Sequence, residues 1–191
     1  MITSIPCVIL SGGRSSRMGE DKSLLPFKEF NTLIEYQYHK LSQVFSDVYI
    51  STKEDKFDFT KSDENIKLIF DEGEVYSPMV ALQSIFQKVG SKKIFIITVD
   101  TPFVEETTIK SLISQSDAYD VVIAKDKDKT HNLCGVFSKS VLDIVDECLK
   151  QDIHKINYLL RNSNTKEILF EDSTQFLNLN TPEEYKLSLT L

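Results

Sequence analysis

The run Val8-Ile9-Leu10-Ser11-Gly12-Gly13-Arg14-Ser15-Ser16-Arg17-Met18-Gly19-Glu20-Asp21-Lys22-Ser23-Leu24-Leu25 joins an apolar, strand-like segment directly to a glycine-rich loop carrying two arginines and a lysine. Glycines let backbone N–H groups approach an anion closely, and Arg14, Arg17 and Lys22 add charge-assisted donors about twice as strong as neutral ones. The loop therefore reads as a phosphate cradle at the end of a buried strand. Neither common phosphate motif fits it. Glu20 and Asp21 separate Gly19 from Lys22, which breaks G-x-x-x-x-G-K-[ST], and Gly12 and Gly13 are adjacent, which breaks G-x-G-x-x-G.

Outward from this loop, strand-like and helical patterns alternate, the mark of βαβ units on a largely parallel sheet. Strands are predicted over 5–11, 48–51, 66–70, 94–99, 120–125, 133–137 and 166–170. Leu33, Ile34, Tyr38, Leu41 and Phe45 fall at helical spacing, as do Met79, Leu82, Ile85, Phe86 and Val89. Further helices are predicted over 105–116 and 140–150, with a short one around Ile153, Ile156, Leu159 and Leu160. Residues 53–65 read as a polar surface connection with a little helix, and 126–130 as a charged loop. Thr181-Pro182-Glu183-Glu184 has the N-cap, N1 and N3 residues of a helix start. Ile94-Phe95-Ile96-Ile97-Thr98-Val99 is apolar without alternation, as expected of a central parallel strand covered on both faces. The predicted fold is α/β: one domain over 1–191, a three-layer sandwich with a Rossmann-like, mostly parallel sheet and helices on both faces.

The 191 residues can bury a substantial single core, and 41% apolar with 27% charged residues is ordinary for a globular protein. No apolar run approaches the roughly 18 residues of a membrane span, and Met1-Ile2-Thr3-Ser4 lacks a signal-peptide pattern, so a cytoplasmic protein without membrane partners is expected. Cys7, Cys134 and Cys148 are widely spaced, indicating neither disulfides nor a zinc site, and read as buried apolar fillers. A net charge of −7 argues against nonspecific nucleic-acid binding and suits a small phosphorylated ligand in one electropositive pocket.

Open parallel sheets place ligands outside the carboxyl ends of their strands. The Ser11 to Lys22 loop, Ser51, Asp71 and Asp100 all stand at such ends and converge on one edge. Asp100 is the candidate metal ligand, since a lone strand-end carboxylate can hold Mg²⁺ that takes its other ligands from water and substrate phosphates. Capping of the following helix near Glu105, or satisfying a turn, is the alternative. Asp71 can accept hydrogen bonds from a base or ribose, or be a solvated loop acid. Taken alone, His131 reads as a surface loop histidine, and Asn178 and Asn180 as turn residues.

Leu10, Gly12, Gly13, Arg17, Met18, Gly19, Asp21 and Lys22 match L-x-G-G-x-x-x-R-M-G-x-D-K, so the loop resembles the signature of the molybdenum cofactor guanylyltransferases, within a nucleotidyltransferase superfamily of nucleotide-diphospho-sugar transferase-like fold. Residues 98–103 are similar to that family's C-D-x-P-[FY] segment, 131–135 to its H-P-L-x-G with Asn132 in place of proline, and 176–184 to its F-x-N-x-N-T-P-E-E. The resemblance implies transfer of GMP from GTP to the terminal phosphate of molybdenum-molybdopterin, with release of pyrophosphate. It implies a nucleotide site at Leu10, Ser11, Gly12, Gly13, Lys22, Ser51, Asp71 and Asp100, with Mg²⁺ on Asp100. Arg17, Lys22 and Asp100 become the catalytic candidates, and Asn178 and Asn180 the molybdopterin side. Transient contacts with molybdoenzymes or upstream cofactor-synthesis proteins follow from the same resemblance.

Two departures stand out. Ser51 occupies a position where relatives often carry Asn, and Ser77-Pro78-Met79-Val80-Ala81 replaces G-P-L-x-G, which bears on base preference and activity. The alternatives are a nucleotidyltransferase using CTP or a sugar phosphate, or a non-catalytic nucleotide-binding factor for molybdoenzyme assembly.

Overall fold

The computed structural model describes residues 3–12, 19–63, 65–72 and 75–190. Seven strands form one sheet: β1 (Cys7–Leu10), β2 (Val48–Thr52), β3 (Lys67–Phe70), β4 (Lys93–Thr98), β5 (Val121–Lys125), β6 (Thr130–Ser138) and β7 (Thr165–Leu169). Their spatial order is β3-β2-β1-β4-β6-β5-β7. All neighbours pair in parallel except β6, which runs antiparallel to both β4 and β5. Strand order reverses between β1 and β4, and the cleft opens beyond their carboxyl ends, as the switch-point rule requires.

Alternating side chains along the strands feed two cores. Cys7 and Ile9 of β1, with Phe95 and Ile97 of β4, pack against α1 (Leu33–Ser42) and α4 (Glu106–Ser114). Val8, Ile94 and Ile96 pack on the opposite face against α3 (Pro78–Lys88), α5 (Leu142–Lys150) and α6 (Ile156–Asn162). Two-sided burial explains why β4 reads as a continuous apolar run. Two helices complete the chain. The first, α2 (Asp58–Ser62), is the short helix expected in the polar connection, anchored by the fully buried Phe57 just before it. The second, α7 (Pro182–Ser188), begins with a complete capping box between Thr181 and Glu184.

Two expectations need correction. His131 lies within β6 and is buried, because the strand begins at Thr130 rather than near Leu133. Its Nε2 meets Asp126 Oδ2 at 3.0 Å, and its ring stacks on Phe176 with centroids 4.2 Å apart. Burial lowers the His131 pKa, and Asp126 opposes this. Leu177 is exposed, while Phe176 and Leu179 on either side of it are buried. The three cysteines are buried as expected.

Candidate active site

The pairing of β1 continues past its last residue, as Ser11 N–H donates to Ser51 O at 2.8 Å and Val99 N–H to Leu10 O at 3.1 Å. This carries Ser11 and Gly12 to the cleft floor between β2 and β4. A Cβ on Gly12 would lie 3.1 Å from Asp71 Oδ2, so a side chain there would crowd the Asp71 carboxylate and push it aside by a few tenths of an ångström. Gly13 and Arg17, assigned to the phosphate cradle from sequence, lie outside the described residues, as does Arg14.

The loop re-enters the described structure at Gly19 and turns through a short 3-10 helix, Lys22–Leu24. Asp21 caps it, accepting from Ser23 N at 3.0 Å and Ser23 Oγ at 2.7 Å, and pairs with Lys56. Burial pushes the Asp21 carboxyl upward, but hydrogen bonds from Lys56 and Ser23 outweigh this and hold it below the ordinary aspartate value. Asp21 is thus an ionised brace that fixes where Lys22 starts.

Lys22 Nζ donates to Asp100 Oδ2 at 2.5 Å and to Asn180 Oδ1 at 2.9 Å. Three elements distant in sequence therefore meet at one ammonium: the cradle loop, the turn after β4, and the segment leading into α7. Leu179 N–H donates to Asp100 O at 2.9 Å, and Glu184 Oε2 accepts from Asn180 N and Thr181 N. The capping box that starts α7 thereby also fixes the backbone of Asn180. Asn178 Oδ1 is buried and has no hydrogen-bond partner among the described residues. A buried acceptor left this way costs about 1–3 kcal/mol, a cost that a substrate donor would remove. Capping of α4 by Asp100 is not observed: the N-cap is Glu105, without a side-chain cap.

At the other end of the cleft, Ser51 Oγ donates to Asp71 Oδ1 at 2.6 Å. Burial raises the Asp71 pKa, and the Ser51 hydrogen bond with the nearby Lys53 and Lys88 holds part of the rise back. Between the two ends is a cavity of about 570 Å³, within the range of nucleotide-sized pockets. Its apolar wall includes Pro78, Ala81, Leu133 and the exposed Val75 and Tyr76. Ser77, the first position of the segment compared with G-P-L-x-G, has φ −146°, which any residue adopts, and its hydroxyl caps α3 by accepting from Met79 N at 3.1 Å. Ala81 adds a buried methyl group to the cavity wall. The two departures change surface chemistry in the cavity without demanding a new backbone path.

Sequence reasoning missed Tyr76, and it marked Leu133 only as part of the 131–135 segment without placing it in the cavity. Leu133 reaches the cavity because β6 bulges. Ile123 of β5 faces Gly135, yet the next residue, Ala124, faces His131, so residues 132–134 loop out of register. Gly135 closes this bulge, and a Cβ there would sit 2.1 Å from Val122 O. Gly135 and the resemblance of 131–135 to H-P-L-x-G were the signals in the sequence.

Among the described residues, no group of three His, Cys, Asp or Glu side chains converges to hold a metal ion. A cation here would rest on Asp100, whose Oδ2 faces Lys22, and on ligands supplied by substrate and water. That donor set suits a hard divalent ion that keeps part of its hydration shell.

A switch-point cleft with a lysine, a strand-end aspartate and a glycine-rich approach defines a nucleotidyltransferase. The chain belongs to the family of the MobA-like NTP transferase domain, whose model matches residues 7–167. It is 42% identical over 188 residues to a molybdenum cofactor guanylyltransferase of Campylobacter jejuni, covering 97% of this chain and 95% of that one. It is 34% identical to one of Helicobacter pylori, covering 100% and 94%. A solved structure from Archaeoglobus fulgidus, molybdopterin-guanine dinucleotide biosynthesis protein A, superposes with a TM-score of 0.81 at 20% identity over 97% of each chain, a likeness of fold alone. No described helix is long and apolar enough to cross a membrane.

Proposed function

We propose that this chain transfers GMP from GTP to the terminal phosphate of molybdenum-molybdopterin in the cytoplasm, releasing pyrophosphate. The observation that carries this reading is the meeting of Lys22, Asp100 and Asn180 at one point, because such a reaction must bring two anions together. The cradle loop takes the triphosphate, with Lys22 and Arg17 neutralising it and backbone N–H groups near Gly12 and Gly13 contacting its oxygens. The base lies toward Ser51 and Asp71, where an ionised Asp71 accepts N–H donors of guanine. Asn178 and Asn180 receive the molybdopterin phosphate.

In the transfer, an oxygen of the molybdopterin phosphate forms a bond to the α-phosphorus of GTP as the bridging bond to the β-phosphate breaks. The electron pair leaves with pyrophosphate. No general base is needed, since a phosphate monoester with a second pKa of about 6 is already largely ionised at neutral pH. The protein's contribution is positioning and charge neutralisation. Mg²⁺, held by Asp100, would supply further neutralisation of the phosphate oxygens when bound. Transient contact with proteins that deliver or receive the cofactor belongs to the same reading.

The test is pyrophosphate release on mixing GTP, Mg²⁺ and molybdenum-loaded molybdopterin, with CTP as the comparison. Release with GTP and not with CTP is expected. Preference for CTP would move the chain to another nucleotidyltransferase activity, and GTP binding without release would favour an assembly factor. Asp100→Ala should abolish transfer in a folded protein. Lys22→Ala removes a charge-assisted contact of about 1.5–3 kcal/mol and should weaken GTP binding by about 10- to 100-fold in a calorimetric titration.

A further inference from the structure

The Asp100 turn is held from behind by α1, through two side chains one helical turn apart. Gln37 is fully buried, and its Nε2 donates to Thr98 O at 3.4 Å and Thr101 O at 3.1 Å. Lys40 Nζ donates to Pro102 O at 2.6 Å and Val104 O at 2.7 Å. The turn also closes on itself, as Thr101 N–H and Thr101 Oγ1 both donate to Thr98 O. On its cleft side, Asp100 O accepts from Leu179 N–H. The backbone that carries Asp100 is therefore pinned between α1 and the segment bearing Asn178 and Asn180.

We propose that Gln37 and Lys40 are positioning residues for the transfer reaction, fixing the Asp100 turn so that its carboxylate and the Leu179–Asn180 segment keep one register around Lys22. The proposal rests on the role given to Asp100 above.

Both side chains are held at a cost to the fold, which separates this role from simple packing. Gln37 Oε1 is buried without a hydrogen-bond partner, so an apolar residue of similar shape would relieve an unsatisfied acceptor at that position. Lys40 is a half-buried ammonium at the edge of the core, and burial, with Lys28 adding to it, pushes its pKa down to about 8. A helix face built only for stability would carry Leu or Met in place of the fully buried Gln37. What the amide and the ammonium supply, and what apolar residues cannot, is donors to four carbonyl groups of one turn. Small displacements of a catalytic group are enough to matter, since about 1 Å can cost about 100-fold in rate.

The experiment is Gln37→Met in the full chain, read by kcat, KM for GTP, Tm and amide hydrogen exchange, beside Asp100→Ala. The expected result is a kcat lower by about 10- to 100-fold, a KM for GTP within about twofold, and a Tm within a few degrees of the parent's, since relief at Gln37 Oε1 offsets part of the donor lost to Thr101 O. Exchange at the amides of Thr101 and Leu179 should be faster than in the parent. Lys40→Gln, which keeps one carbonyl supplied, should give the same split between kcat and KM and serves if Gln37→Met does not accumulate as folded protein. Wild-type kcat in these variants while Asp100→Ala is inactive would overturn the positioning role. So would a kcat that falls only in step with Tm. A fully active Asp100→Ala would instead remove the reading of Asp100 itself.

Discussion

At the level of single residues, Asp71 sets stability against function. Burial raises its pKa, so the folded state binds a proton at this carboxyl more tightly than the unfolded chain does. The stabilisation from that proton is present at low pH and lost as pH rises through the folded pKa. At neutral pH the ionised, half-buried carboxylate is therefore a burden that Ser51 only partly relieves. Asp71→Asn should leave Tm at pH 7 equal to or above the parent's in a thermal melt, while lowering GTP affinity about 10-fold through loss of a charged acceptor. Parent affinity for GTP should also decline as pH falls through the raised pKa, and in Asp71→Asn that decline should vanish. An Asp71→Asn protein with unchanged affinity and unchanged pH profile would separate Asp71 from the base.

At the level of elements, β6 is the piece on which the cavity depends. Its bulge brings Leu133 to the cleft, and Gly135 permits the bulge by letting β5 pass at a distance no side chain tolerates. Gly135→Ala forces backbone movement between β5 and β6 and should cost about 3 kcal/mol, lowering Tm by on the order of 10 °C in calorimetry. The sheet itself was legible in the sequence wherever burial is symmetric. Ile94 to Val99 announces β4 because helices cover both of its faces, and Thr181 to Glu184 announces α7 because a capping box is a local device. The start of β6 was not legible, because Asn132 and Leu133 loop out of the ladder and erase the period-two pattern. His131 looked like a surface residue for a related reason: its partners, Asp126 across the β5–β6 loop and Phe176 beyond β7, are joined to it only by the fold. In the cleft, Lys22, Asp100 and Asn180 could be picked out one by one through motif resemblance. Their convergence on a single ammonium, and the support behind Asp100 from Gln37 and Lys40, belong to tertiary structure.

At the level of the whole molecule, the chain has a net charge of −7, and the proposed site sets the Lys22 ammonium in its cleft against that acidic background. Binding there should be screened by salt, and GTP should stabilise the native state by mass action. At 100 times Kd the gain is about 2.7 kcal/mol. For a domain of this size that corresponds to roughly 5–10 °C in Tm, measurable by differential scanning fluorimetry. A GTP-saturated protein with an unchanged Tm would mean that no folded nucleotide site exists. The contact between Lys22 and Asn180 spans 158 positions, and Tyr185 reaches back to Pro26 across 159. Domains emerging from the ribosome generally fold from the N-terminal end, at about 5–20 residues per second. Most of the sheet can therefore assemble while the final segment is still being translated, yet the cleft cannot be completed until that segment docks. A chain stalled before Asn178 would hold much of the core but lack the partner that Asn180 gives Lys22, so on the proposed reading competence to react is withheld from unfinished copies by the order in which the polypeptide is made.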